Sequence, residues 1–125
     1  MRMHTDPYSP TVLIVDDEPL LRMDAAATLE EAGCLVLEAA SAEEALRLME
    51  KARHVDLLVT DVQMPGGMDG IQLSVTVHSR WPNTEVMVTS GRIQPRAHEL
   101  PPNARFLAKP YPPHKLADAA MRLTH

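Results

Sequence analysis

The chain is organised around residues 55–70, which have the sequence VDLLVTDVQMPGGMDG. The run from Val55 to Val59 is rich in valine and leucine, which is typical of a strand buried on both faces. The run ends at Thr60 and Asp61, just before a turn that contains proline and glycine. Asp61 is therefore predicted to lie at the carboxyl end of a buried strand.

A second stretch, TVLIVDDEP at residues 11–19, has the same form. Five apolar or β-branched residues are followed by Asp16 and Asp17, and then by a proline suited to the first turn of a helix. If the two strands are neighbours in a parallel sheet, Asp16, Asp17 and Asp61 meet at one edge. That edge is where α/β folds bind ligands.

The rest of the chain alternates between helix and strand patterns. The strands are predicted at 11–15, 34–39, 55–61, 85–89 and 104–108. One apolar stripe predicts a first helix that ends at Gly33, and its members are Leu21, Ala25, Leu29 and Ala32. Ser41 and Glu44 have the spacing of a capping box that opens a second helix, and a third helix is predicted to start near Asp69 or Gly70.

The helix pattern is weakest between the fourth and fifth strands. Pro95, Pro101 and Pro102 leave room for only about two helical turns there. A last helix is predicted after Pro112 and Pro113. Five strands alternating with five helices predict an α/β fold, a doubly wound five-stranded parallel sheet with a short or irregular fourth helix.

Composition and charge limit the classes of function that this chain can have. The chain of 125 residues suits one domain, and we expect residues 1–10 to be a disordered N-terminal segment and 11–125 to be the folded domain. A net charge of −5 argues against direct binding of nucleic acid. The single cysteine, Cys34, allows no internal disulfide, and no apolar run approaches the length of a membrane span. We therefore expect a cytoplasmic protein with no membrane contact.

The three acids need compensation. Two carboxylates about 4 Å apart repel by roughly 4 kcal/mol at an effective dielectric constant of 20, so the cluster requires a cation or raised pKa values. Carboxylate ligands without nearby cysteine or histidine favour Mg²⁺, or Mn²⁺, over zinc. Strands four and five end in Thr89, Ser90 and Lys109, which can bind a phosphoryl group. An aspartate facing that group can act as a nucleophile.

Four separated signatures together resemble the receiver domain of two-component response regulators over nearly all of residues 11–123. They are, in chain order, VDDEP, TDVQMPGGMDG, VTSG and FLAKP. The resemblance implies the flavodoxin-like and receiver-like strand order 2-1-3-4-5, which is taken from those folds and not deduced from the chain. It also implies a phosphorylatable signalling switch.

The resemblance assigns roles to individual residues. Asp61 is implied as the phosphoacceptor. Mg²⁺ would be held by Asp17, Asp61 and the backbone carbonyl of Gln63, with Asp16 acting largely through water. The turn after Asp61 is one residue longer than the usual motif because Gly66 and Gly67 stand where one residue is usual.

The remaining implied roles lie on the last two strands. Ser90 would hydrogen-bond the phosphoryl group, with Thr89 as the alternative donor, and Lys109 would pair with the group. Phe106 would be the switch residue together with Ser90, or else an ordinary core aromatic. The bond before Pro110 is expected to be cis.

The preferred function is therefore a stand-alone receiver that accepts a phosphoryl group from a histidine kinase or histidine phosphotransfer protein. It would signal to a downstream protein through residues 91–106, as a monomer or as a weak dimer through the fourth helix, fifth strand and fifth helix. It would catalyse only its own phosphorylation and dephosphorylation. The alternatives are a degenerate receiver used for docking and a small phosphatase, although the second acid that such a phosphatase needs is replaced by Gln63.

Overall fold

The computed structural model describes residues 9–92 and 94–124, and its centre is one parallel sheet. The strands are β1 (Thr11–Val15), β2 (Leu35–Ala39), β3 (Leu57–Asp61), β4 (Glu85–Ser90) and β5 (Arg105–Ala108). The α-helices are α1 (Pro19–Glu31), α2 (Ala42–Lys51), α3 (Gly70–Arg80) and α4 (Pro113–Thr124). Every neighbouring pair of strands is parallel and the order is β2-β1-β3-β4-β5, which confirms the predicted doubly wound topology.

The two faces of the sheet carry separate cores because alternate side chains of a strand point to opposite faces. On one face, Val12, Ile14 and Met87 pack against Leu29 and Leu116 of α1 and α4. On the other face the strands pack against α2 and α3, and the main buried residues are Leu13, Val15, Leu58, Met49, Leu73 and Val77. A fully buried leucine contributes about 1.5–3 kcal/mol, so these two layers hold the sheet rigid beneath its carboxyl edge.

The segment between β4 and β5 contains no α-helix among its described residues. Its one helical element is a 3₁₀ turn at Ala97–Glu99. The prediction of a short or irregular fourth helix is confirmed in this form, and the last helix is consequently α4. The prolines at 95, 101 and 102 explain the loss because each lacks the backbone N–H that a helix interior needs.

The apolar stripe predicted for α1 was partly wrong. Ala25 and Leu29 are buried as expected, but Leu21 is 43% exposed, and Ala26 is buried although it lies off the predicted stripe. The reason is the position of the helix. Since α1 follows β1, its first turns stand at the carboxyl edge of the sheet and do not lie over the strands.

Side-chain caps begin two of the helices. Ser41 accepts a hydrogen bond from the N–H of Glu44, as predicted, but the Glu44 carboxylate accepts from Ala40 N–H (2.6 Å) and not from the N-cap itself. The sequence reading missed a complete capping box on α3, in which Asp69 and Gln72 each accept from the other's backbone N–H. This second box fixes the start of α3 directly behind the acidic edge.

Residues 9 and 10 of the predicted N-terminal segment lie within the described part of the chain. Residues 1–8 lie outside the described residues, but Pro10 is buried and its carbonyl accepts a hydrogen bond from Leu35 N–H at 2.8 Å. Of the helices that the structure describes, none has the length and apolarity to cross a membrane.

Candidate functional site

The adjacency of β1 and β3 brings the predicted acids together. Val15 is paired with Thr60, so the residues that follow them leave the sheet side by side. Asp16, Asp17 and Asp61 each place a carboxylate oxygen within 4.8 Å of the others. Asp16 and Asp61 are buried, at 7% and 8% exposure, and Asp17 is half-buried. The cluster forecast from the two sequence stretches is therefore present.

Lys109 reaches this cluster from the end of β5. Its Nζ lies 3.0 Å from Asp16 Oδ2 and 3.4 Å from Asp61 Oδ1. Burial alone would lower the pKa of Lys109, but the hydrogen bond and charge of Asp16 and the charge of Asp61 outweigh burial and raise that pKa. Lys109 thus stays protonated and supplies one positive charge to three carboxylates.

One positive charge does not fully compensate the site. The pKa of Asp61 is raised, first by burial and then by the charges of Asp16 and Asp17, although Lys109 opposes the shift. The negative charge that remains requires a further cation. Carboxylate ligands alone suit a hard divalent ion such as Mg²⁺. The residues present therefore fit the metal that the resemblance implied.

Asp16 and Asp17 differ in how their carboxylates are engaged. Asp16 accepts hydrogen bonds on both oxygens, from Glu18 N–H (3.0 Å) and from Lys109. The Asp17 carboxylate has no hydrogen bond or ion pair with any described residue, and it borders a cavity of about 650 Å³ together with Gln63. Asp17 is therefore the acid with lone pairs free to bind a cation.

The loop after Asp61 is held close to the site by a glycine that sequence reasoning did not single out. Gly70 N–H donates to the carbonyl of Val62 at 2.8 Å, and a Cβ at Gly70 would overlap the backbone carbonyl of Asp61. Gly66, in the longer part of the loop, has a positive φ of 103°, which favours glycine. Any larger residue at position 70 would displace the backbone of Asp61.

The hydroxyl residues at the end of β4 lie on opposite faces of the sheet. Thr89 and Ser90 are both buried. Ser90 borders a cavity of about 210 Å³ together with Lys109 and Phe106, and Thr89 does not. Ser90 is therefore the hydroxyl residue that shares a cavity with the lysine, and its role as the donor stays a prediction.

Phe106 is half-buried and packs beside Val86 and Val88. Its side chain borders three cavities, of about 540, 160 and 210 Å³. The third of these is the cavity that Ser90 borders. Space is thus available on the side of Phe106 that faces the site. The Lys109–Pro110 peptide bond is cis, the geometry that the resemblance implied.

Two further residues of the site were missed. Arg22 on α1 donates from Nη1 to the carbonyl of Asp16 (2.9 Å) and from Nε to Glu38 (3.1 Å), which ties α1 to the end of β1. Tyr111 follows the cis bond, and burial raises the pKa of its hydroxyl, as do the charges of Asp16 and Asp61, against the opposing charge of Lys109. No local pattern marked either residue, because Arg22 acts through hydrogen bonds to Asp16 and Glu38 and Tyr111 lies near charged groups from separate parts of the chain.

Comparison with known proteins identifies the family of this chain. Residues 12–121 match the family model of the response regulator receiver domain. The chain belongs to this family.

Its relatives are receiver domains within larger proteins. It is 40% identical over 113 residues to the sensor kinase CckA of Brucella abortus (strain 2308), covering 87% of this chain but 12% of that kinase. It is 32% identical over 123 residues to the C4-dicarboxylate transport transcriptional regulatory protein DctD of Rhizobium meliloti (strain 1021), covering 91% of this chain and 25% of that protein. The chain therefore spans a quarter or less of these two relatives.

Solved structures agree with this assignment. A response regulator receiver protein from Sinorhizobium medicae WSM419 has a TM-score of 0.87 and 29% identity, with 93% of this chain and 94% of that chain covered. The chemotaxis protein CheY4 of Vibrio cholerae has a TM-score of 0.81 and 30% identity, with 92% and 98% covered.

Proposed function

We propose that this receiver accepts a phosphoryl group on Asp61, in a Mg²⁺-dependent reaction, from a histidine kinase or a histidine phosphotransfer protein. The observation that carries the proposal is the position of the Asp61 carboxylate. It is buried at the end of β3, with Lys109 at 3.4 Å and two more carboxylates in the same cluster. Family membership supports a phosphoacceptor role in general.

The chemistry follows from the contacts of Asp61. A carboxylate oxygen of Asp61 attacks the phosphorus of the donor, the bond from phosphorus to the donor imidazole nitrogen breaks, and its electron pair stays on that nitrogen. Asp17, Asp61 and the Gln63 carbonyl would hold Mg²⁺, with Asp16 acting through water. The ion would supply positive charge where the transferred oxygens gather.

Lys109 has a defined part in this step. Its ammonium now contacts both Asp16 and Asp61, and the shorter contact is with Asp16. When Asp61 carries the phosphoryl group, Lys109 would keep Asp16 as its anchor and exchange Asp61 for a phosphoryl oxygen. Ser90, beside the same cavity, would donate its hydroxyl to another oxygen, with Thr89 as the alternative donor.

The apolar start of α1 supports a protein as donor. Leu20 is 77% exposed and Met23 is 56% exposed, and half-exposed Leu21 lies near them. These side chains follow closely after Asp16 and Asp17 on the helix next to the acidic edge. A partner helix packed there would bring its histidine to the mouth of the site.

The output would pass through the segment 91–106. Ser90 and Phe106 border one cavity, so drawing Ser90 toward a phosphoryl group would open room for the ring to turn inward. Phe106 has no hydroxyl, so the coupling would act through packing alone. The segment would then present its altered surface to a downstream protein.

The direct test is incubation with acetyl phosphate and Mg²⁺, followed by intact-mass measurement. The wild-type chain should gain one phosphoryl group, and Asp61→Asn should gain none. Asp118→Asn, an exposed acid on α4, is the matched control and should behave as the wild type. Rapid release of phosphate with turnover would instead favour the phosphatase alternative, and no reaction would favour the degenerate docking module.

A further inference from the structure

The outer edge of β5 is open to another strand. β5 is the last strand of the sheet, and no strand of the described residues pairs with its far side. Lys109 N–H donates to the carbonyl of Ser90 on β4 at 2.9 Å. Because backbone groups alternate along a strand, the N–H and carbonyl groups of Phe106 and Ala108 point away from β4.

The crossover before β5 gives this edge little cover. In most doubly wound folds an α-helix precedes each strand, but between 91 and 104 the described residues form only the 3₁₀ turn at Ala97–Glu99. Arg105 and Ala108 are exposed, and Phe106 and Leu107 are half-buried. A free edge of this kind is a template for strand addition, and proteins commonly guard it with charged side chains.

Cavities lie on both sides of the edge. Leu107 packs with the core beneath α1 and α4, and Phe106 packs on the opposite face. The cavity on the α4 side has a volume of about 160 Å³ and is flanked by Arg105 and Arg122. The cavity on the other side has a volume of about 210 Å³. An added strand would direct alternate side chains toward these two cavities.

The charge around the edge is opposite to that of the rest of the domain. Between 91 and 124 the described residues include two acids, Glu99 and Asp118, and five exposed bases, which are Arg92, Arg96, Arg105, Lys115 and Arg122; the sixth base, Lys109, is paired with Asp16 and Asp61. Between 9 and 90 there are fourteen acids and five bases. A second copy adding its own β5 would oppose like charges, whereas an acidic segment would meet complementary ones.

We propose that the β5 edge accepts an extended, acidic segment of a partner protein as a sixth strand. The partner's backbone would pair with Phe106 and Ala108, its carboxylates would meet Arg105 and Arg122 on the α4 side, and its apolar side chains would face the cavity beside Phe106 on the other side. This inference rests on the proposed function in one respect, which is that the partner is taken to be the downstream protein. The edge itself exists in the unphosphorylated chain.

The test uses a synthetic peptide of eight residues with alternating valine and glutamate. It is titrated into the isotope-labelled, unphosphorylated chain while backbone amide shifts are followed by NMR. The amides of Phe106 and Ala108 should shift most. The double variant Arg105→Glu with Arg122→Glu should weaken binding by roughly fivefold or more, because two exposed charge pairs are reversed. Arg47→Glu, an exposed arginine on α2, is the matched control and should leave binding unchanged.

Backbone pairing is tested separately. The same peptide with alternate N-methylated amides retains the charge but loses half of its hydrogen-bond donors, and it should not bind. The proposal would be overturned if the N-methylated peptide, or a peptide of alternating valine and lysine, bound as well as the valine–glutamate peptide. It would also be overturned if the amide shifts were centred on β2 or if no amide shifted. Loss of phosphorylation at Asp61 would contradict the proposed function and leave these outcomes unaffected, so the two failures are distinguishable.

Discussion

At the scale of single residues, the site separates two neighbouring aspartates by their contacts. Both oxygens of Asp16 are engaged, by Glu18 N–H and by Lys109, whereas the Asp17 carboxylate has no such partner among the described residues. The resemblance assigned the two acids different roles, and their contacts distinguish them physically. The distinction depends on Lys109, which lies 93 residues further along the chain.

Magnesium binding should therefore depend more on Asp17 than on Asp16. We expect Asp17→Ala to weaken Mg²⁺ binding by about tenfold or more, since it removes a direct ligand. Asp16→Ala should have the smaller effect because the remaining acids still face the ion. Isothermal titration calorimetry on the two variants measures the ranking, and a larger loss from Asp16→Ala would reverse it.

The only cysteine should be unreactive in the native chain. Burial, and then the charge of Asp56, raise the pKa of the Cys34 thiol, so less thiolate is present at neutral pH than in an ordinary thiol. The protonated thiol is thus compatible with folding at neutral pH, and any stability tied to it is lost as the pH rises through the native pKa. Iodoacetamide should alkylate the native chain much more slowly than the chain in urea. Equal rates would show that Cys34 is accessible.

At the scale of elements, the strands and the acids at their ends were predictable because the signal is local. Four of the five short apolar runs, all except β2, end in polar residues or just before them, and the sheet places those ends at one edge. The exposure of Leu21 and the need for glycine at position 70 were not predictable in the same way. Both depend on how a helix meets the end of a strand, and that meeting is a tertiary contact.

The loop between β3 and α3 allows a test of whether position 70 requires glycine. Gly70→Ala should lower the free energy of unfolding by about 1–3 kcal/mol, because its Cβ would overlap the Asp61 carbonyl. It should also slow phosphorylation, since Asp61 must shift. Gly67→Ala is the matched control, because a Cβ there meets no atom within 4 Å. Urea denaturation compares the two, and equal stability would mean that the loop adapts without moving Asp61.

At the scale of the whole molecule, the first three strands and the crossover to β5 differ in how much helix covers them. The first three strands are covered by α1, α2 and α3, whereas the crossover to β5 is rich in proline and has only one 3₁₀ turn among its described residues. Residue 93 of this crossover lies outside the described residues. Because little structure holds this crossover in place, a modest free energy of phosphorylation at Asp61 can change its conformation.

Amide hydrogen exchange should detect this conformational change in the crossover. With beryllofluoride and Mg²⁺, a mimic of the phosphoryl group on Asp61, we expect protection to rise across residues 91–106. Residues on α2 serve as the internal control and should exchange at an unchanged rate. Unchanged exchange across 91–106 with the mimic bound would mean that this segment is a fixed loop without a switching role.

The proposed function depends most on which carboxylate carries the phosphoryl group. The most direct measurement is borohydride reduction of the chain after treatment with acetyl phosphate and Mg²⁺, followed by peptide mass mapping. Reduction converts an aspartyl phosphate to homoserine and so marks its position. We expect homoserine at position 61 alone, and homoserine at position 16 or 17 would contradict the proposed function.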